Sequence, residues 1–286
     1  MTLRELREGR WAKLLHRPAL KAVIADCGDG LLHREQLRTE WKPDEYVFNI
    51  SFGRWDSGCR CCQQSARRQP SLVLQINFDR RHNRTYQQLL NQAVLRNDGY
   101  QSFNVKAGID GYSGHPVNFS RGFTMAWVRL DLDLDSGECL IEEVQNDWLR
   151  NSEWQAKEFE KYLTENKEEK LEDYYPQFMG HYREFIRYAR DVLKSYRAVW
   201  AEASLAAALE FIWKELGDLA IYCHSAETGA VLKGIRGSQP PRSLYSSLPE
   251  KFGFQLTEDA PVFLKNHRFA RRCMKAMQVP VRFYRL

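Results

Sequence analysis

The feature that most constrains this chain is the strict alternation of residues 128–135. Val128, Leu130, Leu132 and Leu134 interleave with Arg129, Asp131, Asp133 and Asp135. A period of two places successive side chains on opposite faces of an extended strand, so this segment reads as a strand with one apolar and one wet face. Asp135-Ser136-Gly137 supplies turn chemistry, and Cys139 to Gln145 reads as a second strand, which predicts an antiparallel hairpin.

The rest of the chain is read around that hairpin. Leu3–Leu15 and Leu31–Thr39 read as helices broken at Cys27-Gly28-Asp29-Gly30. Tyr46–Phe52 and Leu72–Phe78 read as strands, Arg84–Arg96 as a helix, and Gly99–Gly122 as a Gly-rich loop. From Asn151 to about Leu216 apolar residues recur at helical spacing past a single proline, Pro176. Within it, Trp154–Leu171 alternates Glu with Lys and is expected outside the core, while the nearly all-apolar Ala201–Leu216 is expected to be buried on more than one side. Leu219–Cys223, Phe254–Thr257 and Val279–Tyr284 are the remaining strand candidates, with a short helix at Arg242–Leu248 after Pro240-Pro241. This pattern predicts one α+β domain over 1–286, a mixed and mostly antiparallel sheet, with a helical insertion at 151–197.

Composition narrows the setting. With 43% hydrophobic and 28% charged residues the chain is globular in character, not disordered. No apolar run approaches the roughly 18 to 20 residues a membrane span needs, and Met1–Leu15 lacks a signal-peptide core, so no membrane partner and a cytoplasmic location are expected. Seven cysteines without a secretory segment are expected to stay reduced.

Charge is uneven. Lys plus Arg outnumber Asp plus Glu by five, 42 to 37, yet residues 265–286 hold seven cations and no acid, so the other 264 residues sum to −2. Arg268, Arg271, Arg272 and Lys275 fall at i, i+3, i+4 and i+7, with Phe269, Cys273 and Met277 on another face. This basic amphipathic helix could hold an anion, nucleic acid or an acidic partner, or be a solvated face over the core. Arg60–Arg84 is a second basic stretch, with six Arg against Asp79.

Two clusters carry candidate chemistry. Cys59, Cys61 and Cys62 have thiolates at short spacing, but a structural zinc site needs four ligands. Only Cys27 and His82 lie near in sequence, at non-standard spacing, so no metal site is expected; His33, His181 and His267 read as ordinary histidines. The second cluster is Ile141-Glu142-Glu143-Val144-Gln145-Asn146-Asp147-Trp148. Alternation puts Cys139, Ile141, Glu143 and Gln145 on one face and Leu140, Glu142 and Val144 on the other. A carboxylate on a central strand is either a general base with a raised pKa or one half of an ion pair, with Arg129 across the hairpin as the partner. No phosphate loop, Ser nucleophile elbow or HExxH helix is present.

The block His115–Trp148, with Phe119, Arg129 and the Glu142–Trp148 run, resembles a domain of large phage and prophage polyproteins whose strand signature reads EEIQSDWH. Trp200–Leu216, Leu219–Cys223, and Tyr245 with Leu248–Gly253 are similar to the elements that follow it there. Asn146 stands where that family has Ser, and Leu149 where it has His. The resemblance covers about 100 of the 286 residues and implies no activity.

More distantly, the C-terminal half is similar to the GNAT acyltransferase fold. There a short helix ends in a pattern that Leu244-Tyr245-Ser246-Ser247-Leu248-Pro249-Glu250-Lys251-Phe252-Gly253-Phe254 resembles with extra residues. The resemblance implies a GNAT-like C-terminal half, with Tyr245 as general acid and Glu143 as general base. The cleft it implies is bounded by Arg129, Gln145, Asp147, Trp148 and His224. It also implies acetyl-CoA or another acyl-CoA as donor, with a small molecule or protein as acceptor. One departure stands against CoA. GNAT enzymes hold the pyrophosphate with a Gly-rich loop at a helix N-terminus; the matching junction, Val199-Trp200-Ala201-Glu202-Ala203, has no Gly and carries Glu202. The alternatives are a non-catalytic phage-associated protein whose basic surfaces contact nucleic acid or an acidic partner, and a metal-dependent protein built on the Cys cluster.

Overall fold

A computed structural model describes residues 2–9, 12, 15, 18–25, 27–33, 36, 47–55, 65, 71–91, 116, 123–235 and 240–286. The Cys59, Cys61 and Cys62 cluster, most of the Gly-rich stretch Gly99–Gly122 and most of the predicted helix Leu31–Thr39 lie outside the described residues.

Among the described residues seven strands form one sheet in the order β1-β2-β3-β4-β5-β7-β6. They are β1 (Asn49–Trp55), β2 (Ser71–Asn77), β3 (Thr124–Asp133), β4 (Glu138–Gln145), β5 (Ala220–His224), β6 (Gln255–Thr257) and β7 (Phe283–Arg285). Neighbours pair antiparallel except β4 with β5, which run parallel. A parallel pair needs a long crossover. Here it is the helical stretch between β4 and β5.

That stretch begins with α4 (Trp148–Thr164) and α5 (Glu168–Tyr174), separated at Asn166 with φ 53°. It continues through α6 (Tyr182–Arg187) and α7 (Leu193–Phe211), with π-helical turns at Tyr188–Val192 and Ile212–Leu216. Two sequence expectations fail here. The Glu/Lys-rich helix does not lie outside the core, because Ala156, Phe159 and Leu171 are fully buried with Phe178 and Phe185; the charged residues form only its outer stripe. Conversely, α7 and its π turn bury one side, Leu205, Ala208, Leu209 and Ile212, and leave Trp213 half exposed.

The α7 side packs on Leu74, Val128, Leu130, Cys139, Ile141 and Val144. On the opposite side α8 (Ala226–Lys233), α10 (Val262–Asn266) and α11 (Arg268–Ala276) cover Leu140, Tyr222 and Phe283. A short α9 (Ser247–Lys251) follows the 3-10 turn Arg242–Tyr245.

The hairpin is present, but its charged face is not wet where the sequence predicted it. Arg129 and Asp131 are each 2% exposed. Ser71 Oγ donates to Asp131 Oδ1 at 2.5 Å, and the Arg129 guanidinium lies 4.9 Å over the Trp55 ring. The same face continues as a buried polar row: Thr124 Oγ1 donates to Asn77 Oδ1, Asn77 Nδ2 to Ser51 Oγ, and Ser51 Oγ to Gln75 Oε1, at 2.7 to 2.8 Å. Charge and polarity on this strand therefore mark a hydrogen-bonded interior.

Other boundaries move for local reasons. α1 (Leu3–Glu8) stops at Gly9, well before Leu15, and is opened by a capping box between Thr2 and Glu5, and α2 (Pro18–Ala25) follows. Leu31 makes a bridge to Thr2 instead of starting a helix. α3 (Arg80–Gln87) begins four residues earlier than predicted because Asp79 caps it, accepting from the His82 amide at 2.7 Å. β1 starts at Asn49, and the last strand is confined to Phe283–Arg285. α11 turns Cys273 inward as expected, but with Ala270 and Met274 in place of Phe269 and Met277.

Candidate functional site

The site forms where the pairing of β4 with β5 ends. Their parallel pairing runs from Glu138↔Ala220 to Ile141↔Cys223, while β4 continues to Gln145. On the other side of β4, the register with β3 shifts between Arg129↔Glu143 and Leu130↔Ile141, so Glu142 is the extra residue of a bulge. This corrects the simple alternation expected for β4. Val144 packs on the α7 side with Ile141, not with Leu140 and Glu142.

Two acidic side chains leave the bulge in different surroundings. Glu142 is fully buried; its Oε2 lies 2.9 Å from His224 Nε2, and its Oε1 accepts from the Ser65 amide at 3.0 Å and from Ser65 Oγ at 3.3 Å. Ser65 Oγ is also 2.9 Å from His224 Nε2. Burial favours the neutral form of Glu142, but the charges of His224, Lys233 and Arg129 outweigh it and hold the carboxyl below the usual range. His224 is packed from behind by Gly229, where a Cβ would stand 3.1 Å from the His224 Cβ. Among the described residues its Nδ1 is buried without a hydrogen-bond partner.

Glu143 reaches the edge, with its side chain 17% exposed, and its Oε2 lies 2.8 Å from Arg129 Nε. The cross-hairpin ion pair, one of the two alternatives the sequence left open for this carboxylate, is therefore present. Lys233, the last residue of α8, closes the arrangement. Its Nζ donates to the Glu142 carbonyl at 2.9 Å, lies 3.8 Å from Glu143 Oε1, and sits 5.8 Å from the centre of the Tyr245 ring. The ammonium thus takes a backbone acceptor that β4 would otherwise offer to a neighbouring strand. Burial opposes its charge, yet Glu143, Tyr245 and Glu142 raise its pKa above the usual lysine value. Burial pushes the Tyr245 phenol up, with Lys233 opposing and the two carboxylates adding to the rise.

Of the residues selected from sequence, Glu143 and Tyr245 thus share one cation, and Arg129 and His224 join them through Glu143 and Glu142. Gln145 and Asp147 form a separate edge: Gln145 Nε2 donates to Asp147 Oδ1 at 3.3 Å, and Arg150 pairs with the same oxygen at 2.5 Å. Trp148 stands in the core, its Nε1 donating to Tyr188 Oη at 2.7 Å among Phe78, Tyr86 and Phe123. Glu142, Lys233 and Ser65 were not selected as site residues. A lysine closing a helix reads as a solvated dipole partner, and a serine in an Arg-rich stretch carries no signal.

No protein-family model, curated protein or solved structure matches the chain.

The CoA expectation can be tested against the site. Residues 199–203 lie inside α7, not at a helix start, and Glu202 accepts from Lys251 Nζ at 2.6 Å. The helix that does follow β4, α4, opens with Trp148-Leu149-Arg150-Asn151, without Gly. Neither junction fits a Gly-rich pyrophosphate grip. Among the described residues no group of His, Cys, Asp and Glu could hold a metal ion. His82 is instead stacked on Phe78 at 3.6 Å with Nε2 2.8 Å from Tyr188 Oη, and Cys27 Sγ donates to the Val23 carbonyl. A cleft of about 400 Å³ lies elsewhere, beside β6, lined by Gly9, Glu250, Gly253, Phe254, Leu256 and Tyr284. No helix among the described residues is long and apolar enough to cross a membrane.

Proposed function

We propose that the chain is a divergent GNAT-like protein that carries out acyl transfer at the site where the β4–β5 pairing ends. The observation that carries this reading is the meeting of Glu143 and Tyr245 at Lys233, beside the last parallel β4–β5 pair. Exposure separates the roles. Glu142 and His224 are sealed, whereas Tyr245 is 9% exposed and the Glu143 side chain 17%, so only the latter two can touch a substrate.

The chemistry follows from their surroundings. The amine of an acceptor attacks the acyl carbon of a donor thioester or ester. Glu143 takes the proton lost by the amine, and Tyr245 gives its proton to the departing thiolate or alkoxide. A phenol whose pKa lies above the usual value keeps its proton until a leaving group needs it, and the Lys233 ammonium stabilises the phenolate then formed. Arg129 holds the Glu143 carboxylate in place. The donor is not held through a pyrophosphate at residues 199–203.

The test is transfer from a panel of acyl thioesters and esters to primary amines, followed by mass spectrometry. Tyr245→Phe should reduce turnover by roughly a hundredfold or more, in the range of a lost proton donor. Absence of transfer from every donor, or an unchanged rate in both Tyr245→Phe and Glu143→Gln, rejects the proposal.

A further inference from the structure

We propose that α11 is a docking face for the phosphate backbone of nucleic acid, a role separate from the acyl-transfer site. Arg268, Arg271, Arg272 and Lys275 are all exposed on this helix. At about 1.5 Å per residue they span about 10 Å along the axis.

Several cations elsewhere on the molecule are paired with acids. Arg190 lies 2.5 Å from Glu153 and 2.9 Å from Glu160, Arg187 3.3 Å from Glu184, and Lys214 2.5 Å from Glu210. Among the described residues none of the four α11 cations forms an ion pair; Arg272 rests over the Phe269 ring at 5.9 Å. The segment 265–286 adds three further cations and no acid. A one-signed surface of this kind attracts a polyanion over distance as well as at contact.

The chemistry of the row selects among polyanions. The inward side of α11, Ala270, Cys273 and Met274, is packed with Leu264, Tyr222 and Phe283, so no free apolar side is left to enter a bilayer. Three of the four cations are arginines, whose planar fork matches phosphate oxygens in pairs. One strand of a duplex presents a phosphate about every 3.4 Å along its axis, so a row of about 10 Å spans roughly three steps and faces about four phosphates. An acidic peptide offers no such fixed spacing.

The experiment is fluorescence anisotropy of the full chain with a labelled duplex of mixed sequence, about 20 base pairs long. If the four side chains neutralise four phosphates, affinity falls roughly a hundredfold between 50 and 200 mM salt. The quadruple variant Arg268→Gln, Arg271→Gln, Arg272→Gln, Lys275→Gln changes exposed positions only, and its thermal melt reports that it folds. It should bind at least tenfold more weakly at 50 mM salt and lose most of the salt dependence, whereas replacing the three arginines by lysine should keep the salt slope. The proposal is overturned if wild type does not bind duplex at 50 mM salt, if the quadruple variant binds as wild type does, or if poly-glutamate displaces the duplex at equal charge concentration.

Discussion

Arg129 and Glu143 face each other across the β3–β4 hairpin with Nε 2.8 Å from Oε2, the guanidinium buried and the carboxylate partly open. The asymmetry matters because the buried partner is the one that cannot return to water. Replacing the carboxylate strands a buried cation, which typically destabilises by about 3 to 5 kcal/mol when both members are inside. Glu143 is partly solvated and glutamine keeps an acceptor, so Glu143→Gln is expected to lower stability by about 2 kcal/mol. Urea unfolding measures this. A loss under about 0.5 kcal/mol shows that the pair does not hold the hairpin, and Arg129→Met added to Glu143→Gln should recover part of the loss.

His82 predicts a pH dependence at the other end of the sheet. Burial depresses its pKa from 6.5 to about 4, so the folded protein keeps it neutral against Tyr188 while the unfolded chain protonates it. Below pH 6.5 the unfolded state binds the extra proton, so its stabilising contribution is complete above that pH and is lost as pH falls toward 4. The gap corresponds to about 3 kcal/mol. Urea unfolding at intervals between pH 7 and 4 should show stability falling over this range, and His82→Gln should flatten that limb. An equal slope in the variant assigns the effect to another group.

These residues show what could be read from sequence and what could not. The hairpin was legible because a period of two over eight residues has few other solutions, and a Gly-containing turn ends it. Burial of its charged face was not, since what covers it, Ser71 on Asp131 and Trp55 under Arg129, comes from segments distant in the chain. The bulge was hidden because Glu142 and Glu143 are the same residue type, and shifting a register by one between two glutamates changes no pattern. The start of α3 is hidden in the sequence because its cap, Asp79, stands before two arginines that look like surface. The meeting of Glu143 with Tyr245 followed from a resemblance, but Lys233, which joins them, is an ordinary helix-terminal lysine in the sequence.

Glu142 predicts an acid limb distinct from that of His82. Burial alone would favour the protonated acid, but His224, Lys233 and Arg129 keep the folded carboxyl below its ordinary value of 4.5. The sign is that of a depressed carboxylate: stability is present above the unfolded value and is lost as pH falls through the folded one. Glu142→Gln should therefore be less stable than wild type at pH 7, with the difference narrowing below about pH 4.5 because acid neutralises the wild-type group while the amide does not titrate. The measurement is the urea midpoint of both proteins from pH 7 to 3. The two limbs separate by position: His82 acts between 6.5 and about 4, and Glu142 chiefly below that window. A difference between wild type and Glu142→Gln that stays constant to pH 3 means that the carboxylate is not held charged by its neighbours, and the electrostatic account of the β4 bulge then fails.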